Sequence, residues 1–251
     1  MKIVFHEDFH KVYTHDPAAE RGRLAAAAKL LARSYEVVTP ERIEMEHVER
    51  VHGRGYIEEV HADGGVWTMA LLAAGAALGA ARLAIKGEPA FALARPPGHH
   101  ASANSGWGFC FLNNVAISVA ALVADGSARS VLVLDFDLHL GDGTRNIFSG
   151  RESVRYLHPE GQTRGQWIES CRAALEGAGP CDVVAVSAGF DRHEDDWGGL
   201  LATEDYRTIG SLVRGCAEAR CSGRWFAVLE GGYNPDSLAE SADAFISGAC
   251  G

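Results

Sequence analysis

The sequence predicts an α/β protein: a single domain over residues 1–251, built as three α/β/α layers around a mostly parallel, open β-sheet. Three observations lead there. Short runs rich in β-branched residues alternate with longer, Ala-rich stretches of helical character. Two of the runs, Val131-Leu132-Val133-Leu134 and Val183-Val184-Ala185-Val186, are apolar without alternation, as strands are when helices cover both faces of a parallel sheet. No Pro- or Ser-rich linker and no internal repeat divides the chain, and 251 residues suffice for one large core.

Taken in order, strands are expected at residues 2–5, 35–39, 91–95, 130–135, 153–157, 182–187 and 225–230. Helices are expected between them at 20–33, 66–86, 113–124, 167–178, 203–219 and 236–247. A composition of 47% hydrophobic and 22% charged residues excludes wholesale disorder. Lys plus Arg is 23 against 33 Asp plus Glu, a net charge of -10. A field of that sign repels phosphate, which argues against a nucleic-acid partner, while a cationic substrate is tolerated or drawn inward. The six cysteines form no CxxC pair, and none stands at zinc-finger spacing from a histidine, so reduced core thiols in a reducing compartment are expected. The first residues read as a strand rather than a signal peptide. The longest apolar stretch, residues 69–85, contains Arg82, Gly75 and Gly79, so neither a membrane span nor a membrane partner is expected, and the location expected is cytoplasmic.

Ligands of an open parallel sheet bind beyond the carboxyl ends of its strands, so the informative residues are those that follow each apolar run. After residues 91–94 comes Arg95-Pro96-Pro97-Gly98-His99-His100; after 131–134 comes Asp135-Phe136-Asp137-Leu138-His139-Leu140-Gly141-Asp142. After 183–186 comes Ser187-Ala188-Gly189-Phe190-Asp191, and after 226–229 comes Glu230-Gly231-Gly232-Tyr233. Four strand ends thus deliver His, Asp and Tyr to one rim.

Asp135, Asp137 and His139 are spaced by two, so an extended chain can turn all three to one side. A catalytic Zn2+ takes three protein ligands and keeps one position open; Asp137 and His139 supply two and Asp191 a third. The same oxygen and nitrogen donors accept Fe2+. Alone, the Asp-x-Asp-x-His motif reads equally well as loop-capping carboxylates beside a surface histidine; its company at the other strand ends favours the metal. Adjacent imidazoles at His99 and His100 each need partners if buried, and a base with a charged or acidic neighbour suits amide hydrolysis. Asp135 and Asp142 are the natural orienters of the two rings, although Asp142 can also be read as the cap of a helix opening at Gly143-Thr144. Tyr233, after two glycines that let the backbone approach closely, carries a phenol able to stabilise an oxyanion. In Gly106-Trp107-Gly108-Phe109-Cys110-Phe111, an aromatic beside glycine reads either as a tunnel wall or as a core strand.

The blocks RPPGHHA (95–101), GFCFLNN (108–114), DFDLHLGDGT (135–144), SAGFD (187–191) and EGGYN (230–234), in this order, resemble the histone deacetylase superfamily. That superfamily includes the acetylpolyamine amidohydrolases and has an arginase-like fold. The resemblance runs from about His15 to near the C-terminus. It implies that Asp137, His139 and Asp191 bind Zn2+, that His100 is the general base with His99 as its electrostatic or acid partner, and that Asp135 and Asp142 stand behind the two rings. It further implies that Tyr233 stabilises the oxyanion and that Phe109, with Gly108 and Gly231, contacts the acyl chain. The implied reaction is attack of water on an acetyl or short-acyl amide of lysine, a polyamine or a related amine, on a small molecule or a peptide. Homo-oligomers are compatible with it. Relatives also hold K+ near Asp135, Asp137 and His139, mostly through backbone oxygens, and Arg21 matches a residue of an exit channel.

Several departures modify this expectation. Leu140 replaces a polar residue. Tyr156 takes the place of a serine of the potassium site, and the segment 156–165 is cut short, removing a second tunnel aromatic. Both changes count against K+ binding and against a closed tunnel, leaving an open wall opposite Phe109. The region 61–65 is also trimmed, with Asp63 as candidate for an acidic rim residue. Two other readings stay open: an arginase-like ureohydrolase with two metals, which needs more ligands, and a non-catalytic binding protein on the same fold.

Overall fold

The computed structural model describes residues 1–251. Seven strands form one sheet: β1 (Lys2–Val4), β2 (Glu36–Val38), β3 (Ala90–Ala92), β4 (Val131–Asp135), β5 (Val154–Leu157), β6 (Val183–Ala188) and β7 (Trp225–Leu229). Each boundary falls within a residue of the run that predicted it, except that β3 ends at Ala92, three residues before the expected end at 95. The order is β2-β1-β3-β7-β6-β4-β5, and every pairing is parallel, so the sheet expected to be mostly parallel is wholly so. Every residue of β3, β4, β6 and β7 is buried, which is why their sequences are continuous apolar runs.

The helices are α1 (Ala25–Leu31), α2 (Met45–Glu49), α3 (Arg54–His61), α4 (Gly64–Ile85), α5 (Asn114–Ala124), α6 (Asp142–Phe148), α7 (Arg164–Glu176), α8 (Thr203–Cys221) and α9 (Pro235–Cys250). One layer is centred on α4, which packs on β1, β3 and β7 with α5 beside it; the other is centred on α8, against β6 and β7, with α9 and α7 leaning on it and α1 packed on α9. By length and composition α4 could cross a membrane, but Ala70, Ala73, Ala74, Ala77, Ala80 and Ala81 are buried, and their small side chains let the helix lie close on the sheet. Asp63 opens α4: its Oδ1 accepts hydrogen bonds from the backbone N–H of Gly65 and Val66. All six cysteines are free thiols, five buried and Cys250 exposed.

The expected helix over 20–33 is shortened to α1. Gly22 takes a positive φ of 87°, and Arg23 turns inward, donating to the carbonyls of Glu230 and Gly232. That long-range anchor outweighs helix propensity over the first residues. The short helices α2, α3 and α6 were not among those predicted, beyond the hint of an opening at Gly143-Thr144. The four strands whose ends carry the polar motifs, β3-β7-β6-β4, are consecutive in the sheet. At the usual strand spacing their carboxyl ends span roughly 14 Å, so their loops share one rim.

Candidate active site

The loop after β4 turns back on itself through its own carboxylates. Asp135 Oδ1 accepts from the Asp137 N–H at 3.2 Å, and Asp137 Oδ1 accepts from the His139 N–H at 2.9 Å. These bonds fix Asp137 and His139 facing Asp191, which follows β6. Asp137 Oδ2 accepts from the Gly231 N–H at 2.8 Å, and Asp191 Oδ1 from the Leu138 N–H at 3.0 Å. His139 Nδ1 lies 3.5 Å from an oxygen of each carboxylate. One ligand atom from each of the three residues falls within 4.8 Å of the others.

Two observations test this set for a metal. Asp191 Oδ2 is buried with no hydrogen-bond partner, a costly state for a carboxylate oxygen unless a cation is meant to sit against it. The backbone also makes room: a Cβ at Gly231 would stand 2.6 Å from Asp137 Oδ2 and from Asp191 Oδ2. With the protein's own charges alone, burial and the nearby Asp137 push Asp191 up to about 6, while the carboxylates of Asp137 and Asp191, each 3.5 Å from Nδ1, raise His139 to about 9. A dication relieves both strains at once, and the donor set of two carboxylates and one imidazole fits zinc. A second group, His99, Cys110 and Glu230, is also compact, but Glu230 is already engaged: Oε2 accepts from the N–H of Gly98 and His99, and Oε1 from Ser187 Oγ.

His99 and His100 are both buried, with ring centroids 4.1 Å apart. His99 Nδ1 donates to Asp135 Oδ2 at 3.1 Å, and His100 Nδ1 donates to Asp142 Oδ1 at 2.7 Å. Each Nε2 is thereby left to face inward, as expected of oriented rings. Asp142 is the first residue of α6 and makes no cap, which decides between its two readings. It also accepts from Trp107 Nε1 at 3.0 Å, a second clamp on the same carboxylate. Burial works to discharge His99, but Asp137 and Asp135 outweigh it and hold its pKa well above the usual imidazole value. Burial, helped by the charge on His99, pulls His100 below that value. The two rings are therefore pushed in opposite directions.

The cavity above these groups has a volume of about 140 Å³ and includes every predicted site residue that faces substrate: Gly108, Phe109, Gly231 and Tyr233, beside both histidines. Gly231 acts less on substrate than on the ligands it crowds. Gly108 is likewise explained by close approach, since a Cβ there would lie 2.6 Å from the His100 ring. Phe109 adopts a left-handed φ of 66°, uncommon outside glycine and found where a site holds a side chain in place. Burial raises the Tyr233 phenol, keeping it a neutral donor.

Two half-exposed tryptophans stand at the rim beside Phe109. Trp197 stacks on Tyr233 at 3.9 Å and 18°, and meets Phe109 edge-on at 6.3 Å. Trp107 lies over His100 at 3.8 Å. Tyr156 does reach the position read from the sequence: its hydroxyl donates to Asp135 Oδ2 at 2.8 Å and accepts from the Gly141 N–H at 2.9 Å. Arg21 is exposed, and Arg23 is the arginine buried beside the site, lying 5.1 Å from the Tyr233 ring centre. Arg95 ties the N-terminal segment to the site by donating to the carbonyls of Phe9, Lys11, Ala18 and Glu20. Asp63, weighed as a rim residue, lines a neighbouring groove with Asp16 and Glu59 in addition to capping α4.

This constellation can be set beside known proteins. The family model described as "Histone deacetylase domain" matches residues 18–163 and 158–249, two segments that meet at the short connection after β5. A protein of Archaeoglobus fulgidus named "Probable deacetylase" is 32% identical over 92% of this chain and 81% of its own length. An "Acetylpolyamine amidohydrolase" of Burkholderia pseudomallei is 31% identical over 96% of this chain and 73% of its own. Among solved structures, the HD domain of HDA15 matches with a TM-score of 0.83 at 26% identity, covering 100% of this chain and 91% of that one. The acetylpolyamine aminohydrolase of Burkholderia pseudomallei matches in fold with a TM-score of 0.85, covering 99% of this chain and 98% of that one. With the domain model covering nearly the whole chain, this protein belongs to the histone deacetylase family.

Proposed function

We propose that this chain is a zinc-dependent deacetylase that hydrolyses N-acetyl or short-acyl amides of lysine, polyamines or related amines to a carboxylate and an amine. The observation that carries the reading is the orphaned Asp191 Oδ2 beside Asp137 and His139, directly under a small aromatic cavity that also receives both histidines. Bound by these three residues, a zinc ion supplies Lewis acidity, polarising the amide carbonyl and lowering the pKa of water.

The remaining work falls to side chains of this protein. His100 is the general base: Asp142 holds the proton on Nδ1, which leaves Nε2 free to take one from the attacking water. His99, charged between Asp135 and Asp137, stabilises the negative charge that develops and can deliver a proton to the departing amine. Tyr233 donates to the oxyanion. Phe109, Trp107 and Trp197 exclude water and size the acyl group. The cationic character of the amine product is read from the adjoining groove of about 370 Å³ with Asp16, Glu59 and Asp63 on its lining, in a chain of net charge -10.

The test is a side-by-side assay of acetylputrescine, acetylspermidine and an acetyl-lysine peptide with zinc-loaded protein of measured metal content. Cleavage with one zinc per chain supports the reading; one zinc per chain with no cleavage of any acyl amide overturns it. Two metals per chain would favour the ureohydrolase reading. Against that alternative, Asp135 has Oδ1 bonded to Asp137 N–H and Oδ2 shared by His99 and Tyr156, so it offers no free oxygen for a second ion.

A further inference from the structure

Beneath the ligand loop lies an arginine that the proposed chemistry does not use. Arg192, next in sequence to Asp191, is buried, and its Nη2 donates to two main-chain carbonyls, Asp137 O and Leu138 O, each at 2.9 Å. It forms no ion pair with any carboxylate; its guanidinium rests 5.3 Å from the ring centre of Trp167 in α7, and its Nε has no acceptor. Like Arg23 and Arg95 it spends its donors on backbone oxygens, although a guanidinium pairs more strongly with a carboxylate; it differs from them in serving the loop that carries Asp137 and His139. Here the compensating charge stands one layer away, in the buried carboxylates of Asp135, Asp137 and Asp191.

We propose that the Arg192 guanidinium is a built-in structural cation that holds the loop carrying Asp137 and His139 in register, in the region where relatives are expected to hold potassium. Several oxygens of that region, on Asp135 and Asp137, already serve donors of this chain. Arg192 serves Asp137 O and Leu138 O, His158 Nδ1 donates to Asp135 O at 3.1 Å, and the Tyr156 hydroxyl serves Asp135 Oδ2. A potassium ion is bound by trading its hydration shell for several carbonyl oxygens. Placed on these, it would share oxygens with a fixed positive charge. The residues present therefore do not fit potassium, and the tyrosine at 156 and the arginine at 192 explain each other: one supplies a donor, the other the charge. Arg192 touches neither substrate nor metal, so it is a positioning residue.

The inference rests on the metal assignment proposed above, but its test needs neither substrate nor turnover. The melting temperature and zinc affinity of the purified protein are measured in potassium, sodium and choline chlorides at matched ionic strength. The wild type should respond identically to all three salts. Arg192→Met, similar in length but neutral, should lose about 10–100-fold in zinc affinity, the scale seen when a partner behind a metal ligand is removed. Arg192→Lys, which keeps the charge, should recover most of that loss, as a purely space-filling role would not allow. Specific stabilisation of the wild type by potassium would overturn the proposal, as would wild-type zinc affinity in Arg192→Met. Should Arg192→Met fail to fold, the wild-type ion series and Arg192→Lys still decide. A chain that binds zinc as described yet cleaves no acyl amide would refute the proposed function and leave this inference standing.

Discussion

Replacing Gly231 by alanine should separate metal binding from folding. The residue does not adopt a positive φ, so the backbone itself admits alanine. The new Cβ would lie 2.6 Å from Asp137 Oδ2, Asp191 Cγ and Asp191 Oδ2, and from no backbone atom that close. Ordinary contact begins at 3.4 Å, so the carboxylates must give way by roughly 0.8 Å, the difference between the two. Zinc ligands tolerate only about 0.2 Å around their usual distances. A shift four times larger removes at least one carboxylate from the set, and zinc affinity should fall by about 100-fold or more, equivalent to ~2.7 kcal/mol. The assay is zinc content after dialysis against a graded chelator, with turnover measured on the same samples. Melting with chelator present should match chelated wild type, showing that the fold survives. Gly165→Ala, in α7 where a Cβ meets nothing within 4 Å, is the control and should change neither quantity. Full zinc occupancy with wild-type kcat in Gly231→Ala would refute the assignment of Asp137 and Asp191 as ligands.

Tyr233→Phe should keep zinc and fold but lower kcat by about 10²–10³-fold, the usual loss for one oxyanion donor; a rise in KM alone would make Tyr233 a binding residue. Trp197→Ala removes the ring stacked on Tyr233, and the preference for acetyl over butyryl amides in kcat/KM should shrink about tenfold, since one methylene of fit is worth about 1–3 kcal/mol. An unchanged acyl-length series would show that Trp197 does not size the cavity. For pH, a base must be unprotonated to act, and His100 is pulled below the usual imidazole value, so kcat/KM should be retained at neutral pH and lost on acidification through a point below about 6.5. Asp142→Asn removes a carboxylate that favours the protonated ring, so this acid limb should move to still lower pH while the plateau drops; a shift to higher pH would contradict His100 as the base.

The parts of this protein that were legible in its sequence share a physical origin. Strands β4 and β6 announce themselves because burial on both faces favours four consecutive apolar residues in each, and a polar residue immediately after such a run stands at the strand's carboxyl end. His99, Asp137 and Asp191 were found on that logic. Arg23, Arg95 and Arg192 were not, because their partners lie far away in the chain: Arg23 bonds Gly232 and Arg192 bonds Asp137. A buried arginine carries no local pattern that distinguishes it from a solvated one. Trp197 had a signal that went unused. It precedes Gly198-Gly199 as Trp107 precedes Gly108, and it lies six residues beyond a ligand, within reach of the same rim.

The charge distribution at the rim explains why one dication, rather than none or two, suits this fold. Asp135, Asp137, Asp191 and Glu230 are all buried, and isolated carboxylates are costly there. Two are satisfied by the protein itself. Asp135 takes bonds from His99 and Tyr156, and Glu230 takes three donors from the His-His turn and β6. The charges of His99 and Arg192 offset part of the remainder, yet Asp191 is still pushed up to about 6 and keeps an unpartnered oxygen. Burial also pushes Glu230 up, to about 7, but its oxygens all have donors; the unpartnered oxygen is on Asp191, beside Asp137 and His139. A single divalent ion held there by Asp137, Asp191 and His139 would offset both carboxylates, and because the imidazole would have to be neutral to serve as a ligand, binding would release a proton below about pH 9. A second ion would find no free carboxylate, and the only other cation the loop needs is already covalently present as Arg192.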